Sequence, residues 1–381
     1  MIAKAFRRNL PPDTFSNLRY YPHMHIGLLI YGSLDTISGG YLYDRKLGRH
    51  LHEQGHDVEI FSLPWRNYGA HLRDNFSRSL FRRLVDAPLD ILLQDELNHP
   101  SLFWLNGRLK PHITYPIISI VHHLRIDEQH LALWQPLYQA VERRYLRSID
   151  GFIFNSQTTK QGVQQLVGDK RPSVVAQPAG DRFAPLSKTA VLQKTQQDGP
   201  LKLLFVGNVT PRKGLHTLIQ ALGRLPKERW TLDVVGSLTV DPAYANRWLV
   251  KETTVLDIQK RITVYGQVND THLENLYTRN HLLVVPSQYE GFGIVYLEGM
   301  AFGCPAIGST AGAAHEIITP AETGYLIEPE DTVVLAQHLQ ALIDDRALLT
   351  QLATAAHARF LEHPAWETSM AKIETFISDR F

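Results

Sequence analysis

Two glutamates flank a glycine-containing turn in the segment "VPSQYEGFGIVYLEGMAFGCP" (285–305). Glu290 precedes Gly291 and Gly293, and Glu298 follows after seven intervening residues. The apolar run before the turn and the helical spacing after it predict a strand, a turn in which the backbone can approach a ligand, and a helix. Free N–H groups at the start of a helix bind a diphosphate or another anion, and carboxylates beside them can bind hydroxyl groups. This combination of groups suits a nucleotide sugar.

Both glutamates also have an ordinary structural interpretation. Glu290 could cap the helix that follows it, and Glu298 could be a solvated residue on that helix. The segment by itself leaves the two interpretations open.

The composition is that of a balanced chain with two domains. Its 381 residues exceed what one domain usually holds, and 39 Lys and Arg residues against 38 Asp and Glu residues give no overall case for a nucleic-acid partner. The single cysteine, Cys304, excludes an intramolecular disulfide and fits a reducing compartment. The N-terminal segment lacks the apolar core of a signal peptide, and no run is long enough to span a membrane. We therefore expect a cytoplasmic chain.

Short apolar runs alternate with longer stretches of helical spacing along the chain. The runs are continuous, which is typical of strands buried on both faces of a parallel sheet. They form two series: 24–32, 56–63, 89–95, 116–123, 151–156 and 172–178, then 201–207, 231–236, 262–266, 281–287, 304–309 and 324–329. This pattern predicts an α/β protein with two doubly wound parallel-sheet domains, whose ligand crevice lies beyond the carboxyl ends of the strands.

The boundary between the two series is a polar segment that ends in Gly-Pro. This segment, 186–200, is interpreted as a linker between an N-terminal domain (1–185) and a C-terminal domain that begins at residue 201. Soon after it, apolar residues recur at helical spacing, as expected of a helix that lies on a sheet: Leu215, Leu218, Ile219 and Leu222.

The chain resembles the retaining glycosyltransferases of family 4, which have the GT-B fold of two facing Rossmann-like domains with the donor site in the cleft between them. The resemblance begins with the paired glutamates and continues through "AIGSTAGAAHEIITPAETGYLIEP". Three further segments resemble the family's phosphate loop, nucleobase loop and first glycine loop: "LLFVGNVTPRKGLHTLIQAL", "VYGQVNDTHLENLY" and "SGGYLYDRKLGRHLHEQGHDVEIFSL". The resemblance therefore covers most of the chain.

The resemblance implies a role for each part of the glutamate segment. Glu290 would bind hydroxyl groups of the donor sugar, and Glu298 the hydroxyl groups of the ribose. The backbone N–H groups of Phe292, Gly293 and Ile294 would meet the distal phosphate and the sugar.

In the phosphate loop, the resemblance implies donor contacts at Gly207 and Asn208 and identifies Lys213 as the phosphate-binding lysine. One residue departs from the pattern, because the family usually has arginine where this chain has Asn208. Either Arg212, beside Lys213, replaces that arginine, or the diphosphate is bound by one cation fewer. In the nucleobase loop, the resemblance places Val268 at the donor.

In the N-terminal half, the resemblance places Gly39 and Gly40 next to the donor phosphate and the acceptor. It also implies an active-site histidine at the end of the run 116–123, where His122 aligns better than the adjacent His123. Ordinary interpretations remain open for these residues too, namely a strand-to-helix turn and a partly buried histidine. The segment "PAGDRF" (178–183) departs from the family's usual turn and receives no role.

The reaction implied is transfer of a sugar from a UDP- or GDP-sugar to a hydroxyl acceptor with retention of the anomeric configuration. Catalytic roles would fall to Glu290, His122 and Lys213. The chain has no Asp-x-Asp pair, so we expect no metal and no cofactor, with helix ends and Lys213 in place of a cation.

Three other classes of protein are weighed against this interpretation. A nicotinamide oxidoreductase would need a G-x-G-x-x-G turn after a strand, which the chain lacks. A GT-B epimerase or phosphorylase, and a non-catalytic member that binds sugar nucleotides, remain open, and Asn208 is the best argument for the last of these.

The acceptor is not identified by the sequence. The segment 71–87 sets Phe76 and other apolar residues against four arginines, so it could lie on an anionic bilayer or be an ordinary helix with a basic face. The segment 97–106 could line an acceptor pocket, or its apolar residues could be part of the ordinary packing of the domain. Finally, 358–381 resembles the family's C-terminal helix, which crosses back to the N-terminal domain, so the C-terminal domain is expected to end at residue 357.

Overall fold

The computed structural model describes residues 22–127, 134–168 and 170–381. Residues 1–21, which carry most of the N-terminal segment interpreted above, lie outside the described residues.

The first half of the chain forms a six-stranded parallel sheet with the strand order β2-β1-β3-β4-β5-β6. Its strands are β1 (His25–Tyr31), β2 (Asp57–Leu63), β3 (Ile91–Asp95), β4 (Ile117–Val121), β5 (Gly151–Phe154) and β6 (Ser173–Val175). Apolar cores lie on both faces of this sheet, which explains why its central strands read as continuous apolar runs.

In the described residues, seven α-helices connect these strands: α1 (Gly39–Glu53), α2 (Tyr68–Asp74), α3 (Arg78–Asp86), α4 (His99–Leu102), α5 (Leu105–Leu109), α6 (Gln135–Arg147) and α7 (Gln157–Val167). Local side chains set several of their starts. Ser38 caps α1 by accepting a hydrogen bond from Tyr41 N, and Ser156 caps α7 in the same way from Thr159 N.

The second half forms another six-stranded parallel sheet, with the order β12-β11-β10-β7-β8-β9. Its strands are β7 (Leu201–Val206), β8 (Trp230–Val235), β9 (Ile262–Gly266), β10 (Leu282–Val284), β11 (Ala306–Ser309) and β12 (Gly324–Ile327). The outer strand β9 is the most exposed of the six, and the other five contribute to one large apolar core.

The helices of this half are α8 (Lys188–Thr195), α9 (Leu215–Leu222), α10 (Pro242–Asn246), α11 (Thr253–Val255), α12 (Asp270–Arg279), α13 (Ile294–Ala301), α14 (Thr332–Asp344), α15 (Arg346–Glu362) and α16 (Trp366–Arg380). A π-helical segment, Arg247–Glu252, joins α10 to α11. The predicted apolar stripe of α9 is fully buried against the sheet.

The predicted α/β fold class is confirmed, and each of the twelve apolar runs coincides with one strand, although β8 begins one residue before its run. Two segments differ from the sequence interpretation. The segment 186–200 contains the helix α8, which Ser187 caps and whose Val191 and Lys194 are buried. The segment 71–87 is broken into α2 and α3, because the buried Asn75 side chain donates hydrogen bonds to Leu72 O and Pro100 O.

The chain crosses back to the first sheet through the short connection 363–365. Helix α15 packs on α8 and α13, whereas α16 packs on α1 and β6. Trp366, Ile373 and Ile377 of α16 are buried in the core of the first half. In addition, Lys372 Nζ donates to Val175 O at 2.6 Å. Helix α16 therefore ties the last residues of the chain to the N-terminal sheet.

Across 22–127, 134–168 and 170–381, no helix combines the length and the apolar character needed to cross a bilayer.

Candidate active site

A buried ion pair joins the two loops that were expected to hold the donor. Glu290 Oε2 lies 2.5 Å from Lys213 Nζ and accepts a second hydrogen bond from Ser287 Oγ at 3.1 Å. The loop around Gly312 fixes the glutamate backbone, since Ala313 N donates to Glu290 O at 2.8 Å. A Cβ at Gly312 would lie 2.2 Å from Glu290 O, so only glycine fits there.

The lysine is positioned by an equally tight turn. Gly214 has φ +71°, and a Cβ on it would lie 1.9 Å from Pro286 O. The short helical turn Pro211–Lys213 is thereby pressed against the loop that follows β10. The side chain of Lys213 is thus held where it meets the glutamate.

The two members of the pair shift each other's ionisation. Burial alone would raise the pKa of Glu290, but Lys213, Arg212 and the two hydrogen bonds lower it below its ordinary value. Burial lowers the pKa of Lys213, and the nearby Arg212 lowers it further, against the opposing effect of Glu290. The carboxylate is therefore charged near neutral pH, and its charge opposes the lowering of the Lys213 pKa.

Arg212 lies in the same cluster of charges, whereas Asn208 does not contribute to it. The guanidinium Nη1 of Arg212 donates to Tyr289 O at 3.2 Å, and its charge acts on both Glu290 and Lys213. Asn208 is half-buried in the turn after β7, next to Gly207, whose N–H donates to Val235 O at 2.9 Å. Of the two side chains, only that of Arg212 brings a cation to this turn.

The turn between the glutamates leads into α13 without a capping side chain from the described part of the chain. Gly293 has φ +97°, and a Cβ there would lie 2.4 Å from the Tyr296 ring. Phe292 is buried, and Ile294 is half-buried between the cores of the two halves. The interpretation of Glu290 as a helix cap is wrong, because its side chain bonds to Lys213 and Ser287 instead.

Glu298 is buried on α13, with only 2% of its surface exposed, so its interpretation as a solvated helix residue is wrong. Its Oε2 accepts a hydrogen bond from Tyr277 OH at 3.0 Å, and its Oε1 lies 3.7 Å from Arg182 Nη1. Burial raises the pKa of this carboxyl, while Arg182 and Tyr277 oppose the rise. The glutamate is held in one orientation by an arginine and a tyrosine.

Arg182 is a site residue that the sequence interpretation missed. It lies in the segment 178–183, to which no role was given, and its Nη2 lies 2.5 Å from Asp270 Oδ1. Gly180 lets this segment cross α13 closely, since a Cβ there would lie 2.5 Å from Leu297 Cβ. An arginine in a turn is weak evidence for a binding site in a sequence. Arg182 comes close to Glu298 only in the folded chain.

Val268 lies in the predicted nucleobase loop between β9 and α12. It is half-buried against the second core, two residues after Gly266 with φ +66°. Asp270, the first residue of α12, follows this loop directly and pairs with Arg182.

Residues of the first half come directly against the glutamate segment. A Cβ on Gly39 would lie 3.6 Å from Ile294 Cδ1, and a Cβ on Gly40 would lie 3.2 Å from His122 Cδ2. A Cβ on Gly291 would lie 2.6 Å from His122 O, so the turn can approach this strand end only because it has no side chain there. The structure thus brings together the two glycines, His122 and the Glu290 turn.

His122 is bound to a carboxylate that the sequence interpretation also missed. Its Nε2 lies 3.2 Å from Oδ1 of the fully buried Asp44, and Asp95 lies beside both. Burial would lower the pKa of His122, but Asp44 and Asp95 raise it to about 9. Burial and the charge of Asp44 in turn raise the pKa of Asp95 to about 7.

Three groups of histidine and carboxylate side chains are compact enough to hold a cation, in the part of the chain that the structure describes. They are His23, His25 and Asp57 on the surface, then Asp44, Asp95 and His122, and finally Glu96, His99 and Glu142 in the interior. Within each group the ligand atoms lie within 4.8 Å of one another. None of the groups contains a residue of the Glu290–Lys213 pair.

The chain matches two family models that together cover most of its length. Residues 42–179 match Glycosyltransferase Family 4, and residues 188–359 match Glycosyl transferases group 1. A glycogen synthase of Mycobacterium tuberculosis (strain ATCC 25618 / H37Rv) is 30% identical over 231 residues, which are 60% of this chain and 54% of that protein. The chain therefore spans about half the length of this relative.

Several solved structures resemble the chain over most of its length, including the following two. Sucrose-phosphate synthase from Thermosynechococcus elongatus is 22% identical with a TM-score of 0.78, over 94% of this chain and 99% of that one. Anabaena Alr3699/HepE, solved in complex with UDP-glucose, is 20% identical with a TM-score of 0.73, over 94% of this chain and 100% of that one. These likenesses establish the GT-B fold. The two family models, which together cover most of the chain, show that the chain belongs to the group 1, family 4 glycosyltransferases.

Proposed function

We propose that this chain transfers a sugar from a nucleoside diphosphate sugar to a hydroxyl acceptor, with retention of the anomeric configuration and without a metal ion. The observation that carries the proposal is the buried contact between Glu290 and Lys213 beside the turn that starts α13. The contact supports the proposal because a cation that would meet a departing diphosphate and a carboxylate that would bind a sugar lie within one hydrogen bond of each other.

The arrangement supports a division of labour among the side chains. Lys213, with Arg212 near it, would stabilise the charge that develops on the departing phosphate. Glu290 would bind the sugar, and Glu298 would bind the ribose at the other end of the diphosphate. His122 would contact the transferring sugar from the N-terminal side. Retention needs no separate protein base, because the departing phosphate can accept the proton of the incoming hydroxyl.

A uridine nucleotide is the first donor to test, with GDP-sugars as the second set. The support is that Alr3699/HepE was solved in complex with UDP-glucose. The assay screens candidate donor sugars and candidate acceptors.

Release of nucleoside diphosphate from candidate donors tests the proposal. With the correct donor and acceptor, we expect release to continue in excess EDTA, because Lys213 and Arg212 supply the positive charge at the diphosphate. Complete loss of release that manganese restores would contradict the metal-independent mechanism. Consumption of donor without an acceptor would indicate an epimerase, and dependence on inorganic phosphate would indicate a phosphorylase. Donor binding with no turnover under any condition would indicate a sensor.

We propose further that the acceptor side of the molecule contacts an anionic membrane. The segment 71–87 is not one amphipathic helix, since it is divided between α2 and α3, and Leu80 and Leu84 of α3 are buried in the core of the first half. Phe76, however, is 62% exposed and lies edge-on to Trp104, which is 45% exposed, with ring centroids 5.3 Å apart. The guanidinium of Arg144 lies 5.8 Å from the Trp104 ring. Exposed aromatic rings beside arginines are suited to the interface of an acidic bilayer.

Sedimentation with lipid vesicles tests this contact. We expect the protein to bind vesicles that contain an acidic phospholipid and not vesicles of phosphatidylcholine alone, and we expect the double variant F76A/W104A to lose most of this binding. Val255→Ser removes an exposed apolar side chain from the other half and serves as the control. Equal sedimentation of the double variant and the parent would contradict the proposed contact.

A further inference from the structure

The carboxylates behind His122 form a buried group that the transfer reaction as described above does not use. Asp44 lies on α1 and Asp95 at the end of β3, and both are almost completely buried. Oδ1 of Asp44 binds His122 Nε2 at 3.2 Å, while its Oδ2 has no hydrogen-bond partner among the described residues. Two carboxylates at this depth are costly unless a cation or a proton compensates them.

The imidazole is the compensating group that the structure provides. The ring is packed edge-on against Tyr43, with centroids 5.2 Å apart, and a Cβ on Gly40 would lie 3.2 Å from its Cδ2. Its Nε2 is committed to Asp44. Nδ1 forms no hydrogen bond within residues 22–127, 134–168 and 170–381, and it is not enclosed by the protein. A proton on Nδ1 would therefore be available to a ligand.

We propose that Asp44 and Asp95 are positioning residues that hold His122 as an imidazolium, so that its Nδ1–H donates a hydrogen bond into the cleft. The inference rests on the proposed function, because the acceptor of that hydrogen bond would be an oxygen of the donor sugar or its phosphate. A neutral histidine bound to Asp44 through Nε2–H would present a lone pair at Nδ1 and could not make this bond.

Three carboxylates around the imidazole favour this state. Asp44 faces it from α1, and Asp95 and Glu96 face it from the end of β3. Each of these carboxylates raises the pKa of His122, to about 9 in total, against the opposing effect of burial. Asp95, whose pKa is raised to about 7, takes up a proton more readily than an ordinary carboxyl and so limits the excess negative charge.

Titration of His122 by NMR tests the proposal without any need for transferase activity. With the His122→Gln variant to assign its signal, we expect the His122 ring of the full-length parent to stay protonated through pH 8. In Asp44→Asn and Asp95→Asn, we expect its pKa to fall by about 1 to 3 units, the usual effect of removing a neighbouring carboxylate. A parent pKa at or below the ordinary value of about 6.5 would overturn the proposal, even if neither variant folds.

The pH dependence of kcat provides the second readout. The imidazolium is the active form, so a lower pKa confines activity to lower pH. We expect Asp44→Asn to lose about 10- to 100-fold in kcat at pH 8 and to recover most of that loss near pH 5.5, with a much smaller change in the KM for the donor. Asp95→Asn should shift the profile in the same direction.

Glu374→Gln is the matched control. Glu374 is another buried carboxylate that binds a histidine, with its Oε2 2.9 Å from His50 Nε2, but it lies on α16 away from the cleft. The Glu374→Gln substitution should leave the pH profile unchanged.

A uniform loss of kcat at all pH values in Asp44→Asn would show that Asp44 is merely structural. Loss of parental activity in EDTA would contradict the metal-independent mechanism and would leave the NMR titration as the test of the imidazolium. If the pKa of His122 falls in the variants as expected but no donor is turned over, the proposed function is wrong, and the proposal that His122 is an imidazolium is still supported.

Discussion

Glu290→Gln is expected to lower the turnover number about 100- to 1000-fold, the usual effect of removing one preorganised electrostatic contact with the transition state. Glutamine keeps the shape of the side chain and can still accept the hydrogen bond from Lys213, so the loop should keep its conformation. It cannot supply the negative charge that becomes more favourable as positive charge develops on the sugar ring. The loss should therefore appear in kcat.

The same variant should not bind nucleoside diphosphate more weakly. In the parent, Lys213 Nζ is bound to Glu290 Oε2 at 2.5 Å, and this contact competes with a phosphate for the lysine. Glutamine removes the competing charge, and the bound diphosphate supplies in its place the negative charge that favours the protonated lysine. Calorimetric titration of nucleoside diphosphate and initial rates at saturating donor measure the two effects separately.

Glu322→Gln, which changes an exposed carboxylate of the same half, is the control and should behave like the parent. If Glu290→Gln turned over at the parental rate, Glu290 would be structural and the proposed sugar contact would be wrong. If it lost diphosphate affinity along with turnover, the residue would act on the phosphate end of the donor instead.

Glu298→Gln is expected to weaken nucleoside diphosphate binding while turnover at saturating donor changes little. Each charged hydrogen bond that the carboxylate makes to a ribose hydroxyl contributes about 1.5–3 kcal/mol. Loss of one such bond corresponds to roughly 10- to 150-fold in the dissociation constant. Because the ribose is bound equally in the ground and transition states, the effect belongs in affinity rather than in kcat.

Two further variants separate a direct contact from an indirect one. Tyr277→Phe removes the hydroxyl that donates to Glu298 Oε2 at 3.0 Å but leaves the charge, so it should cost less affinity than Glu298→Gln. Asp233→Asn disrupts another carboxylate–arginine contact in this half, the one with Arg279 at 2.7 Å, and should leave affinity unchanged. Parental affinity in Glu298→Gln would exclude a ribose contact.

Acidification should have the same effect as the Glu298 substitution. Burial raises the pKa of Glu298 above its ordinary value, so this carboxyl takes up a proton at a higher pH than an exposed glutamate does. The ionised form accepts the ribose hydrogen bonds. Affinity for nucleoside diphosphate should therefore be complete above the raised pKa and fall as the pH drops through it, and Glu298→Gln should lose this dependence.

Much of the architecture was determined by local sequence. A parallel strand buried on both faces must be apolar along its whole length, so the central strands appear as short continuous runs, whereas the outer strands β2 and β9 are partly exposed. The turn at Gly291 and Gly293 and the two glutamates beside it lie within nine residues of sequence, and a motif of that kind can be recognised directly. The α/β fold class followed from such local patterns.

The contacts that distinguish the site were decided by the tertiary structure. Glu290 and Lys213 are 77 residues apart in sequence, and His122 and Asp44 are 78 apart, so no local spacing reveals either pair. The same holds for Arg182, which looks like an ordinary turn residue until the fold places it against Glu298. Hydrophobic periodicity specifies which face of an element is buried, but it does not specify which element covers that face. The partners of buried charges are therefore determined only when distant segments pack together.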